Sequence, residues 1–113
     1  MNSYANLSHL VHKPGYEFKE SSLVEIMMPF LSNYALQTTK KLWSESISGW
    51  GLDYLISANL FQEKRKIAIV HNVIASHLKP TSSRNWKCSN GRTSLQELHY
   101  IINKYKLVNY PIF

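Results

Sequence analysis

The chain has 113 residues, of which 44% are hydrophobic and 12% aromatic; this excludes a disordered chain and predicts one packed domain over residues 1–113. Its net charge of +6 permits contact with phosphate groups, but the basic residues are dispersed, so a soluble basic surface is the simpler interpretation. The single cysteine excludes an intrachain disulfide, and the lack of a long apolar run or a signal peptide predicts a cytoplasmic protein without a membrane span.

Residues 1–20 are polar and predict an entry loop, with a brief edge strand over 16–18. The first strong strand candidate is 23–28, which Pro29 ends. Its apolar residues at both parities predict a strand covered on both faces, as in an α/β sheet. Glu25 is then a carboxylate in a buried strand, which needs a partner or a shifted pKa. It either holds a sugar hydroxyl or lies at the exposed edge of the strand.

Three helices are indicated by caps and apolar stripes. Ser32 is a favourable N-cap for a helix over 33–44, and a second helix is predicted over 53–61. Ser94 and Glu97 have the spacing of a capping box for a third helix near the end of the chain. We expect a mixed α/β fold, with α+β as the alternative, in which a short sheet of two to four strands packs against about three helices.

The second strand candidate is 66–73. If the extended conformation continues, His71 and His77 share one face, and His77 falls at the strand's end, where functional groups of open sheets collect. Two such histidines are too few to predict zinc, and a structural histidine is the simpler interpretation. In the loop that follows, Trp86 lies among basic residues. It stacks on a base or sugar, or it anchors the loop.

The most unusual stretch is Gly49-Trp50-Gly51-Leu52-Asp53, which contains the only aspartate of the sequence. Glycine on each side of Trp50 permits a positive φ or a close backbone approach. Trp50 offers a flat apolar face, and Asp53 accepts hydrogen bonds when ionised. This arrangement suits a polyhydroxylated ligand. The alternative is a buried turn with Trp50 in the core and Asp53 as a helix N-cap; in either case we expect the helix dipole to lower the pKa of Asp53.

These segments together resemble a known family. Val24 to Ser32 (VEIMMPFLS), Ser46 to Asp53 (SISGWGLD), Lys66 to Val70 (KIAIV) and Ser76 to Pro80 (SHLKP) follow the order and spacing of the glycosyltransferase-like family catalogued as domain of unknown function 707. A Leu-Ser-His segment at 7–9 also matches, so the resemblance covers residues 7 to about 107. It implies a partial GT-A-like sandwich that uses a nucleotide-sugar donor and a glycan acceptor.

The resemblance also implies roles for individual residues. Asp53 would be the general base that takes the proton of the acceptor hydroxyl. Trp50, between Gly49 and Gly51, would stack on the acceptor sugar, and Glu25 would lie near the acceptor pocket. His77 would ligate a divalent cation, Mn²⁺ or Mg²⁺, that neutralises the leaving diphosphate. At the position of His71 the family often has aspartate, which leaves a role for that residue open.

One part of the family pattern is missing. The sequence contains no Asp-x-Asp, Glu-x-Asp or glycine-rich phosphate loop, so it resembles only the C-terminal, acceptor-side half of such an enzyme and lacks the N-terminal nucleotide-binding half. We therefore expect a truncated or split transferase that is inactive alone and self-associates or needs the missing half. The alternatives are a small basic nucleic-acid-binding module, indicated by the +6 charge, and a structural interaction module without ligand chemistry.

Overall fold

A computed structural model describes residues 14–15, 17–78 and 85–108. The elements are strand β1 (Phe18–Ser21), helix α1 (Asn33–Thr39), a 3-10 helix (Lys40–Glu45), helix α2 (Leu52–Gln62), strand β2 (Ile67–Val70) and helix α3 (Ser94–Lys104). The fold is mixed, with a two-stranded sheet and three α-helices, as the composition and patterning predict. The predicted entry loop up to residue 13, the Leu-Ser-His segment at 7–9, residue 16, and residues 79–84 lie outside the described part of the chain.

The sheet is antiparallel, with Phe18 paired to Val70 and Ser21 to Ile67. It is therefore of the α+β kind, and the predicted α/β sheet covered on both faces is not what forms. Its inner face presents Ile67 to the core, whereas Phe18 and Val70 are exposed on the outer face. The predicted edge strand thus forms about two residues later than expected, and the second strand is shorter than expected.

The core lies between α1, α2, α3 and the inner face of β2. Ser32 caps α1 as predicted, since its Oγ accepts the Ala35 N–H at 3.1 Å. Helix α2 occupies the centre and buries residues on several sides. The buried apolar cluster contains Ala35, Leu42, Leu52, Leu55, Ile56, Leu60, Ile67 and Ile101. No helix of the described residues is long and apolar enough to cross a bilayer.

The predicted strand over 23–28 does not form. The hydroxyl oxygen of Ser21 accepts the N–H of Leu23 at 3.1 Å, and that of Ser57 on α2 accepts the N–H of Val24 at 2.9 Å. The carboxylate of Glu25 accepts the N–H of Met27 at 3.0 Å. Because side chains accept hydrogen bonds from these three backbone N–H groups, the groups do not have to pair with a neighbouring strand. It runs as an irregular connection that packs Val24 and Ile26 against the core.

Candidate functional site

The glycine turn begins at the end of the 3-10 helix and leads directly into α2. Gly49 and Gly51 both have φ of +90°, as the sequence predicts. A Cβ on Gly51 would lie 3.1 Å from the Cβ of Ile101 on α3, and one on Gly49 would lie 3.5 Å from Cδ1 of Ile26. Position 51 therefore needs glycine for both its backbone angle and its contact, and position 49 for its angle.

Trp50, at the apex of this turn, is partly exposed. Its backbone lies against two serine side chains: the N–H donates to Ser48 Oγ at 3.1 Å, and the carbonyl oxygen lies 3.0 Å from Ser46 Oγ. Most of its surface is buried, so this burial does not separate a core role from a binding role. A tryptophan with a fixed backbone and part of its surface in solvent can stack on a sugar ring without a large loss of backbone entropy.

Asp53 is the second residue of α2 and is partly buried. The cap of the helix is Gly51, which makes no side-chain cap bond, so the interpretation of Asp53 as N-cap is wrong. Its Oδ1 instead accepts the N–H of the adjacent Tyr54 at 3.0 Å. Burial raises the pKa of Asp53 to about 6, and the charge of Glu25 adds to the shift, against the lowering effect of backbone N–H groups. The expected lowering by the helix dipole is overridden, because desolvation of the carboxylate is the larger effect.

Glu25 lies in the irregular connection, partly buried, and both carboxylate oxygens are 3.0 Å from the N–H of Met27. The adjacent Ile26 lies against the turn at Gly49. The charge of Glu25 also contributes to the raised pKa of Asp53, although less than burial does. The structure thus brings together the predicted substrate-binding and catalytic residues Glu25, Gly49, Trp50, Gly51 and Asp53. Because the strand is absent, neither predicted environment of Glu25, buried strand or strand edge, applies.

Tyr54 is a member of this group that the sequence interpretation missed. It is buried, and burial together with the charge of Asp53 raises the pKa of its hydroxyl to about 12. The phenol is therefore a neutral hydrogen-bond donor at physiological pH. The sequence shows only that Tyr54 directly follows Asp53 in a predicted helix. That position does not distinguish a core tyrosine from a functional one.

The predicted metal ligand His77 is exposed and lies in the segment after β2. His71 is buried, so the two histidines do not share one environment, and the strand ends at Val70 before either of them. Within the described ranges no three His, Cys, Asp or Glu side chains lie together as a metal site would require.

Glu97 is the second residue that the sequence interpretation missed, since its spacing from Ser94 indicates a capping box. The capping box is formed one residue earlier, by Thr93 and Gln96. Glu97 is 1% exposed, and its carboxylate binds the Ser46–Ser48 part of the glycine turn. A signal was present: Glu97 is four residues before Ile101 and so lies on the buried face of α3, where a carboxylate needs hydrogen-bond donors.

The other features that the sequence singles out lie elsewhere. A groove of about 500 Å³ lies between the end of β1 and the connection from α2 to β2; three consecutive basic residues line it, and none of the candidate site residues does. Trp86 is 47% exposed, and its carbonyl oxygen accepts the N–H of Ser94 at 2.8 Å, so its segment is attached to the start of α3. Because the backbone makes this bond, it does not distinguish a stacking role of the indole from an anchoring one.

Comparisons of this chain with protein-family models, with curated proteins and with solved structures gave no match. The resemblance to the glycosyltransferase-like family thus stays a prediction that rests on the sequence blocks named above. The geometry of the glycine turn is independent of it.

Proposed function

We propose that this chain is the acceptor-side half of a nucleotide-sugar-dependent glycosyltransferase and is inactive as a transferase by itself. The observation that supports this most is the pairing of a partly exposed Trp50 with a carboxylate, Asp53, whose pKa is about 6. An aromatic face and an acceptor oxygen on one rigid turn suit a sugar ring and one of its hydroxyls.

The pKa of Asp53 suits a general base. A group with a pKa of about 6 is mostly ionised at neutral pH and is more basic than an ordinary aspartate, which improves proton abstraction. In the proposed reaction Asp53 takes the proton of the acceptor hydroxyl, whose oxygen then bonds to the anomeric carbon of the donor sugar. The bond from that carbon to the diphosphate breaks, and the nucleoside diphosphate leaves with the electron pair.

The donor and any divalent cation would be bound by polypeptide outside these 113 residues. The sequence lacks the acidic motif that holds them, and no described cluster of acidic residues and histidines replaces it. We propose that the open sheet, with Phe18 and Val70 exposed, is covered by self-association or by that nucleotide-binding half. Such a partner would also explain why a domain of this size leaves large apolar side chains in solvent.

A saccharide titration monitored by NMR tests the proposal. We expect oligosaccharides such as cellotetraose and chitotriose to shift the indole N–H resonance of Trp50, and at least one of them to bind more tightly as the pH rises through about 6, because the ionised carboxylate accepts a hydroxyl. Asp53→Asn should remove the pH dependence. In Trp50→Ala, where backbone amide resonances report binding, the affinity should fall by about tenfold or more. Lys41→Ala, an exposed position on the 3-10 helix, is the control. If no saccharide shifts Trp50, the proposal is wrong.

A further inference from the structure

The carboxylate of Glu97 is bound by four donors from a single segment about fifty residues away in sequence. The hydroxyls of Ser46 and Ser48 each donate to its Oε1 at 2.6 Å. The N–H of Ser48 donates to the same oxygen at 2.7 Å, and the N–H of Ile47 donates to Oε2 at 2.9 Å. Burial alone would raise the pKa of Glu97, but these four hydrogen bonds lower it below its usual range, so the group is ionised.

These bonds determine the direction of the two serine hydroxyls. A hydroxyl has one proton, and in each serine the short bond to Glu97 takes that proton. The hydroxyl oxygens are then acceptors toward the turn: Ser46 Oγ accepts the N–H of Gly49 at 3.0 Å, and Ser48 Oγ accepts the N–H of Trp50 at 3.1 Å. The carboxylate of Glu97 thus orients two hydroxyls, and the oxygens of these hydroxyls bind the backbone N–H groups of Gly49 and Trp50.

The same helix also fixes the end of the turn. Ile101, one helical turn after Glu97, approaches Gly51 so closely that a Cβ there would lie 3.1 Å from it. Gly51 is the cap of α2, and Asp53 follows two residues later. Helix α3 therefore holds the start of the turn by hydrogen bonds and its end by packing, with Trp50 between the two points.

We propose that Glu97 is the positioning residue of the candidate site: its carboxylate fixes the turn over 46–51 and thereby sets where Trp50 and Asp53 lie. The use of Trp50 and Asp53 on a saccharide rests on the proposed function, but their placement by Glu97 does not. A neutral glutamine cannot replace the carboxylate. It has one acceptor oxygen, and its NH₂ group would face a hydroxyl or N–H donor of the turn.

The test uses the full chain and needs no ligand. Asp53 is the only aspartate, so selective ¹³C labelling of aspartate gives one carboxyl resonance whose titration reports this site alone. In Glu97→Gln we expect the turn to loosen and water to reach Asp53, and its titration midpoint to fall from about 6 by about half a unit or more. The indole N–H resonance of Trp50, assigned with Trp50→Phe, should shift as well.

Ile102→Val is the matched control, because this buried residue lies on the same helix and makes no hydrogen bond to the turn. It should lower the melting temperature while leaving the Asp53 midpoint and the Trp50 resonance in place. If Glu97→Gln folds and leaves both the Asp53 midpoint and the Trp50 resonance unchanged, the proposal is overturned. If Glu97→Gln does not fold, Ser48→Ala decides: it removes one donor to Glu97 and the acceptor of the Trp50 N–H, and unchanged readouts there would equally overturn it.

Failure of the proposed function gives a different result. A chain that binds no saccharide but shows the Asp53 and Trp50 changes in Glu97→Gln would contradict the proposed function and leave the positioning role supported. If the proposed function holds, Glu97→Gln should also weaken saccharide binding about tenfold, whereas Ile102→Val should not.

Discussion

Asp53 carries a charge that opposes folding at neutral pH. Its pKa is about 6 in the folded chain and 3.8 ordinarily, a difference worth at most about 3 kcal/mol. Because the folded-state pKa is raised, the contribution of this group to stability is fully present below about pH 4 and is lost as the pH rises through about 6. A candidate base that is kept ionised in a partly buried place therefore lowers the stability of the fold that holds it.

Asp53→Asn should consequently be more stable than the original chain at about pH 8, by up to about 3 kcal/mol, and the difference should shrink toward about pH 4. Urea unfolding measured across this pH range checks the prediction. Glu45→Gln is the control of opposite sign, because hydrogen bonds from Lys104 and Tyr105 lower the pKa of Glu45. A difference between Asp53→Asn and the original chain that does not vary with pH would contradict the assigned pKa.

The residues of the glycine turn could be predicted from the sequence, whereas the residue on α3 that holds the turn in place could not. Glycines beside a tryptophan, with the only aspartate following, mark an unusual turn whatever the fold. Glu97 was missed because the spacing Ser94–Glu97 fits a capping box, and only the three-dimensional structure shows that Thr93 and Gln96 form it. The pKa of Asp53 was predicted in the wrong direction, since desolvation depends on tertiary packing that the sequence does not show.

The start of α3 is determined by the reciprocal bonds of Thr93 and Gln96. The hydroxyl of Thr93 accepts the Gln96 N–H at 3.1 Å, and the side chain of Gln96 accepts the Thr93 N–H at 2.9 Å. Thr93→Ala should therefore destabilise the chain by about 1 kcal/mol. Thermal unfolding with amide exchange in the first turn of α3 is the measurement. Ser32→Ala, which removes the cap of α1, should cost a similar amount and leave exchange in α3 unchanged.

At the level of elements, local signals predicted the helices well. Ser32 caps α1 as expected, and α2 and α3 lie where their apolar stripes indicate. The helix expected over 33–44 changes to 3-10 geometry at Lys40. The strand expected over 23–28 failed for a reason that no local pattern shows: the N–H of Val24 is bound by Ser57, which is thirty-three residues later. Apolar residues at both odd and even positions indicate that a segment is buried, but a buried segment does not have to be part of a sheet.

At the scale of the whole molecule, the described residues leave the sheet open. In the described part of the chain the sheet has two strands, so both are edge strands, and Phe18 and Val70 pair on the outer face with 65% and 55% of their surfaces exposed. Exposed apolar edges favour association with another chain. If the chain is one half of a transferase that needs a partner, it should therefore associate with a second copy of itself or with the nucleotide-binding half.

We expect sedimentation velocity to show concentration-dependent association in the micromolar range or below. The double variant Phe18→Lys with Val70→Lys should shift the chain toward monomer, because charges on the outer face oppose edge pairing. Leu36→Lys, which replaces an exposed apolar residue on α1, is the matched control and should leave association unchanged. A chain that stays monomeric at all concentrations would count against self-association, with the nucleotide-binding half then the remaining partner.

In the proposed function, the glycine turn with Trp50 and Asp53 forms an acceptor site, and the chain by itself has no donor site. Isothermal titration with UDP-glucose and GDP-mannose, with and without Mn²⁺, and separately with oligosaccharides, tests it most directly. We expect heat from a saccharide, at least about tenfold weaker binding of it by Trp50→Ala, and no heat from either nucleotide sugar in either condition. Mn²⁺-dependent binding of a nucleotide sugar, or silence toward every saccharide, would contradict it.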